Sequence, residues 1–456
     1  MPREFALLIC VSMISWLFIR DRKLRPMPSA AVWIPLLWVF MLGSRPITMW
    51  SVGNYSTIPD NLNAYEEGSI IDRNVYSALI IVALSVLSGR KFQWGEVVTS
   101  NRWVWAFFGY CAISILWSDY PFVGIKRWIK DFGNVVMILI ILTEADPILA
   151  VKAVFARYSY LVILLSVLFI KYYPELGRYY SRWTYMPVYS GVATEKNALG
   201  AAVLVAILLL LWDLCEALEA RKGKRNKLDL AARLVLLGMA LWLEKMADSS
   251  AAIVASFLGG LIILLMRYPV FARRIKYIGS YVLIMLVVGL LLYTSPAASQ
   301  LLLGSIGEDI TLTGRTDIWA DLFLVPINPV IGVGYQSFWL GEHVEAIWKK
   351  YYFHPNQAHN GYIETYLNGG VVGLLVLLSV IIAVVANLKP QLIARDKYAI
   401  LRFAFLVVAV LYNMTEAMFN RLSPVWFIFL LAVICPLHRA GRVSQIRPRV
   451  PVQLVR

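Results

Sequence analysis

The sequence predicts an all-α polytopic membrane protein, with about 12–13 transmembrane helices and one long, partly helical outer loop. Three observations carry that prediction. Of 456 residues, 59% are hydrophobic and only 16% charged, with a mean hydropathy of +0.66, whereas soluble domains carry about one-quarter charged residues. Apolar runs approaching twenty residues recur along the chain, which is about the length a helix needs to cross a bilayer. Basic clusters occupy every second connection between them, the positive-inside pattern. The net charge of +15 is spread through those clusters with no continuous basic face. Membrane topology therefore accounts for it, and nucleic acid is not expected as a partner.

In chain order the apolar runs lie at about 5–19, 31–50, 74–88, 103–117, 124–142, 151–170, 197–214, 229–246, 249–266, 277–293, 370–386, 400–413 and 423–437. The first follows Arg3 but ends in Trp16-Leu17-Phe18 without a small-x-small cleavage site, so it reads as a retained span. The first and twelfth are short for a full crossing. Arg20, Arg22, Lys23 and Arg25 follow the first run, Arg90, Lys91 and Arg102 the third, and Arg221 to Lys227 the seventh. Arg267 to Lys276 follow the ninth, and Lys389, Arg395 and Lys397 the eleventh. The alternate connections are mostly poorer in Lys and Arg; 51–72 instead holds Asp60, Glu66, Glu67 and Asp72. This alternation predicts a cytoplasmic C-terminus, an outer N-terminus and an outer location for 295–370. The expected units are a helix bundle over 1–293 with a smaller outer loop at 171–196, a large outer loop over 294–369, C-terminal spans over 370–437 and a basic tail over 438–456. Cys10, Cys111, Cys215 and Cys435 fall in or beside apolar runs without metal-ligand spacing, and read as inert packing residues.

Two stretches can carry chemistry. The loop 171–196 interleaves Lys171, Arg178, Arg182 and Lys196 with tyrosines, against the usual scarcity of Lys and Arg outside. Arg forks match phosphates and aromatic faces pack on sugar rings, so the loop suits an anionic or sugar-bearing ligand; interfacial snorkelling is the alternative for Arg178 and Arg182. Lys196 opens the seventh run beside Asn197, where a cation opposes the helix dipole unless an anion sits nearby. The long loop, Ser295 to Gly370, holds three of the four histidines. Within it, Thr313-Gly314-Arg315-Thr316-Asp317 reads as a turn into a helix, placing Arg315 at an entrance suited to phosphate; a surface pair with Asp317 is the alternative. Asp317 and Asp321 fall one turn apart but lack further ligands, so no metal site is expected. His359 precedes Asn360 and a helix bearing Tyr362 and Glu364, and its imidazole is the best available general base near neutral pH, with Glu364, about a turn beyond it, placed to orient it or to bind sugar hydroxyls. His354 and His343 are the competitors.

TGRTDIW, NPVIGVGYQSF and AHNGYIETYLNGGVVGLL within one outer loop resemble the O-antigen ligase and Wzy-type polymerase superfamily. ATEKNALG at the seventh run resembles the ExoQ-like exopolysaccharide-polymerase branch. The resemblance spans roughly 190–375 and implies a GT-C-like glycosyltransferase of the bacterial inner membrane. Its implied partners are an undecaprenyl-diphosphate-linked glycan donor, a glycan acceptor, membrane lipids, and export or chain-length-regulating proteins. It implies no cofactor, neither metal nor nucleotide-sugar. The family's HN-motif histidine falls on His359 and its GR-motif arginine on Arg315. The chain departs from the ligase pattern at Asp248-Ser249-Ser250-Ala251, where many members carry an SRG-type arginine. Lys196 and Arg182 are the candidate replacements. Polymerisation is therefore the leading expectation, transfer to lipid A-core the second, and transport of lipid-linked sugar a third from a different class. A transporter predicts ionisable residues deep in several spans, for which Lys126, Arg127, Lys130, Asp131, Glu244 and Lys245 are the candidates.

Overall fold

A computed structural model of the chain describes residues 1–24, 29–52, 69–91, 93–181, 185–219, 227–277, 315–351 and 353–435. The expected run 277–293, the first part of the long loop, Arg182 and the basic tail lie outside the described residues. The principal elements are α1 (Arg3–Leu24), α2 (Trp33–Leu42), α3 (Ile70–Ser88), α4 (Arg102–Ser114), α5 (Pro121–Leu142), α6 (Pro147–Tyr172), β1 (Arg178–Tyr180) and β2 (Pro187–Tyr189). They continue as α7 (Lys196–Glu219), α8 (Lys227–Ala247), α9 (Ser250–Leu265), α10 (Arg315–Leu324), α11 (Gly341–Lys350), α12 (Gly361–Ile393), α13 (Lys397–Tyr412) and α14 (Pro424–Val433). The chain is thus an all-α polytopic membrane protein, with one antiparallel β1–β2 ribbon in the 171–196 loop.

Every apolar run within the described residues except 31–50 lies essentially on one helix; 31–50 breaks after Leu42 and resumes at Ile47. Among the described residues four helices, α3, α6, α7 and α12, are long and apolar enough by themselves to cross a membrane. A fifth candidate joins α9 to residues 269–277 across a 104° bend. The others among the described residues are shorter or carry more charge. Burial separates centre from rim. α6 and α7 are apolar all round, and 83% of the spanning window of each is buried, against 17% for α3 and 28% for α12. α7 packs on α6, α8 and α9, and α13 on α9 and α14.

Helix starts are written locally. Asp146, Asp396 and Ser423 cap α6, α13 and α14 by accepting from Leu149, Ala399 and Trp426 N–H groups, and Pro147 and Pro424 occupy first-turn positions where no N–H is needed. Buried charge is paired or hydrogen-bonded, as desolvation demands. Arg157 meets Asp21 at 2.9 Å. The carboxylate of Asp131 accepts from Tyr335 Oη (2.9 Å), Asn134 Nδ2 (3.1 Å) and Trp426 Nε1 (2.5 Å), tying α5 to α14 and to the long loop. Arg45 holds the 171–196 loop, donating to the carbonyls of Leu176, Gly191 and Val192.

The long loop has its own apolar core of Ile318, Leu322, Phe338, Trp339, Val344, Ile347, Ala358 and Leu367. Asp321 joins α10 to the end of α11, accepting from Lys350 Nζ at 2.7 Å and Tyr351 Oη at 2.5 Å. Those hydrogen bonds hold its carboxyl below the ordinary 3.8. The native state therefore favours the charged form, so this stabilisation is present above about pH 4 and is lost as pH falls through the lowered value. Asp321→Asn is expected to flatten acid unfolding below about pH 4, measured by circular dichroism of purified protein. An unchanged acid limb would exclude that role.

The loop docks on a break in α12. Gly370 adopts φ 61° and ψ −162°, a conformation essentially confined to glycine. The N–H groups freed beyond it, Val371 and Val372, donate to the carbonyls of Pro329 and Val330; Val333 and Gly334 donate in turn to Leu367 and Asn368. A Cβ on Gly370 would collide with the Val330 carbonyl. Gly370→Ala is therefore expected to cost about 1–3 kcal/mol from backbone conformation alone, and more from the collision. Gly238, with no atom within 4 Å of an added Cβ, is the control: Gly238→Ala should leave the melting temperature level or higher.

Candidate active site

The site forms where the N-terminus of α12, the start of α10, the start of α7 and the segment after α13 meet. α10 begins at Arg315, and Trp319 one turn on donates to the Ala358 carbonyl at 2.7 Å, fixing α10 against the residue before His359. Asn360 caps α12 through Tyr362 N and Ile363 N and donates to the Met414 carbonyl at 3.0 Å. His359 itself lies at φ 48°, an uncommon conformation for a residue with a side chain.

Arg315 and His359 converge on Glu416. Arg315 Nη2 lies 3.2 Å from Glu416 Oε1, and its Nη1 donates to the Thr415 carbonyl. His359 Nδ1 lies 3.3 Å from Glu416 Oε2. Asn197 Nδ2 donates to Oε1 at 3.1 Å. Glu416 is 2% exposed, so its charge depends on these partners. Glu195 lies nearby; burial first, then Glu416, pushes its carboxyl above the ordinary value. A proton on Nδ1, facing Glu416, leaves Nε2 as the basic nitrogen. Arg315 retains N–H groups beyond the two directed at Thr415 and Glu416, because a guanidinium carries five.

The remaining sequence candidates are placed as follows. Lys196 donates to the Asp248 carbonyl at 3.0 Å and approaches its carboxylate at 3.7 Å, so a cation does reach the segment where an SRG-type arginine is missing. Arg178 donates to the Ile170 carbonyl at 2.8 Å and lies over the Tyr189 ring, which ties it to the loop rather than to His359. Tyr362 donates to the Val410 carbonyl at 2.9 Å. Asp317 sits in the first turn of α10. Glu364 is not the imidazole's partner; it pairs with Arg421 at 2.9 Å and accepts from Ala358 N at 3.1 Å. His354 stacks on Trp348 and His343 on Phe338. Glu416 and Arg421 escaped the sequence reading because they lie in NMTEAMFNRLS, a short connection outside the recognisable motifs. An acidic residue and an arginine in a short connection between two apolar runs were the available signal.

Fold and site together define a polytopic membrane protein whose loop histidine and arginine share one buried carboxylate. Residues 234–378 match the family model described as O-antigen ligase. The chain is also similar to the exopolysaccharide production protein ExoQ of Rhizobium meliloti (strain 1021), with 27% identity over 336 residues, covering 71% of this chain and 74% of that protein. The family match takes in Arg315, His359 and Glu364 and stops before Glu416.

Proposed function

We propose that the chain is a bacterial inner-membrane glycosyltransferase that polymerises undecaprenyl-diphosphate-linked repeat units, with the His359 end of the bundle facing the periplasm. The observation that carries this reading is the convergence of His359 and Arg315 on Glu416. Nε2 of His359 takes the proton of an acceptor hydroxyl as that oxygen bonds to the donor's anomeric carbon. The bond from that carbon to the diphosphate breaks, and the diphosphate leaves with the electron pair. Its growing charge is met by Arg315, with Lys196 close by at Asp248. A diphosphate is already a good leaving group, so a strong general acid is not required, and this reading assigns charge stabilisation to Arg315 rather than to a metal. A base opposite the leaving group inverts the anomeric carbon.

Polymerisation is favoured by ATEKNALG, by the absent SRG-type arginine and by the similarity to ExoQ. The O-antigen ligase match supports transfer to lipid A-core as the second reading. Purified protein in vesicles, given lipid-linked repeat units alone, is expected to lengthen the glycan. Growth only after lipid A-core is added would make it a ligase. Flux of lipid-linked sugar without joining would overturn both.

A further inference from the structure

A cavity of about 380 Å³ opens beside the His359 site, between α4, α5, α12 and the segment before α14. Its size falls in the range of roughly 300–1,000 Å³ that small-molecule pockets occupy. Three basic side chains, Arg127, Lys130 and Arg421, and two acidic ones, Asp131 and Glu364, line it, a surplus of one positive charge. Both carboxylates are already engaged, Asp131 by three donors and Glu364 by Arg421 and Ala358 N. Arg127 also donates to the Gln336 carbonyl at 2.8 Å and Arg421 to the Asn356 carbonyl at 3.1 Å; neither carbonyl cancels a charge, so the lining keeps its net positive charge, with Lys130 contributing to it.

Two lining atoms are orphans. Trp339 is 3% exposed, and its Nε1 donates to nothing among the described residues. The Oδ1 of Asn420 is buried and accepts from nothing among them. Unpaired buried polar atoms cost about 1–3 kcal/mol each, so two among the residues lining one cavity point to a ligand that supplies their partners. A simple anion would use the indole N–H and the cations but not the amide oxygen. A neutral sugar would use donor, acceptor and the Tyr110 ring, but not the surplus charge. A saccharide carrying an oxyanion uses all of them.

We infer that this cavity binds an anionic saccharide, and, resting on the glycan-joining reading above, that it is the acceptor side of the site. Glu364 in its wall accepts from the N–H of the residue before His359, and Arg421 stands five residues beyond Glu416. The cavity is therefore built from the same two segments that hold His359. The oxyanion is either the phosphate joining the sugar to its carrier or an acid on the sugar itself.

The test titrates the purified full-length protein with glucose 1-phosphate, glucuronate, glucose and inorganic phosphate by isothermal titration calorimetry. Glucose 1-phosphate or glucuronate is expected to bind about tenfold or more tighter than glucose and than inorganic phosphate. The tighter of the two identifies the source of the oxyanion. Lys130→Gln and Trp339→Phe, the latter removing the indole N–H while keeping an aromatic ring, though a smaller one, should each weaken that binding about tenfold, whereas His359→Ala should retain it. Equal binding of glucose, equal binding of inorganic phosphate, no binding, or loss in His359→Ala with retention in Lys130→Gln would each overturn the assignment. In the joining assay, Lys130→Gln should raise the acceptor KM and spare the donor KM. If the wild-type protein joins no glycan, the proposed function fails while the calorimetric result on the cavity stands.

Discussion

His359→Ala is expected to lower glycan joining by roughly 10²–10⁴-fold, the usual worth of a positioned general base, with the lipid-linked donor still bound and the fold intact. The loss should fall on kcat rather than on KM for the donor, because an imidazole acting on the acceptor proton contributes in the transition state. His359 is partly exposed and caps no helix; the capping is done by Asn360. Removing the ring therefore leaves α12 anchored. Glu416→Gln sharpens the test. It keeps the size of the side chain and a hydrogen-bonding oxygen but removes the negative charge that faces the imidazole. A loss of about 10–100-fold in kcat is expected, smaller than that of His359→Ala. Full activity in His359→Ala would remove the base assignment, and the convergence on Glu416 would then be structural only.

Arg315→Ala is expected to cost about 10²–10³-fold in kcat, the scale on which one preorganised donor to a developing anion acts. The substitution has a second consequence that must be separated from the first. It leaves Glu416, buried on α13's outgoing segment, without its guanidinium, and breaking a buried pair destabilises by about 3–5 kcal/mol. Arg315→Lys retains charge but loses the planar fork that reaches both Thr415 O and Glu416, so an intermediate rate with near-normal stability is expected. The double variant Arg315→Ala/Glu416→Gln removes the unpaired charge. Thermal stability should recover in it while activity does not. Recovery of both would reduce Arg315 to a structural partner.

How much of this was legible in the linear chain follows from the range over which each signal acts. Hydrophobic runs and helix caps are local, so α5, α6, α13 and α14 start where Pro and capping residues stand in the sequence. The helix bearing Tyr362 and Glu364 and the span beginning at 370 were both legible, but not how they join: they follow one another through Gly370 (φ 61°), with the backbone of 329–334 paired into the break. The run 31–50 likewise hides the interruption after Leu42, where Gly43 has the ring of Tyr158 against it.

The sequence by itself determined the membrane class and the alternation of basic connections, and it singled out His359 and Arg315 as the candidates for a base and a cation. Those conclusions need only residue type and near-neighbour spacing. Tertiary structure alone decided which carboxylate serves them. Glu364 is nearest to His359 in the chain, one turn ahead on α12, yet its carboxylate turns to Arg421. Glu416, 57 residues from His359 and 101 from Arg315, is the one they share. It also brought Lys196 to Asp248, and placed Arg127 and Lys130 of α5 around the same cavity as Trp339 and Asn420. A buried charge must find a partner wherever the packed helices bring one, and that requirement carries no sequence separation.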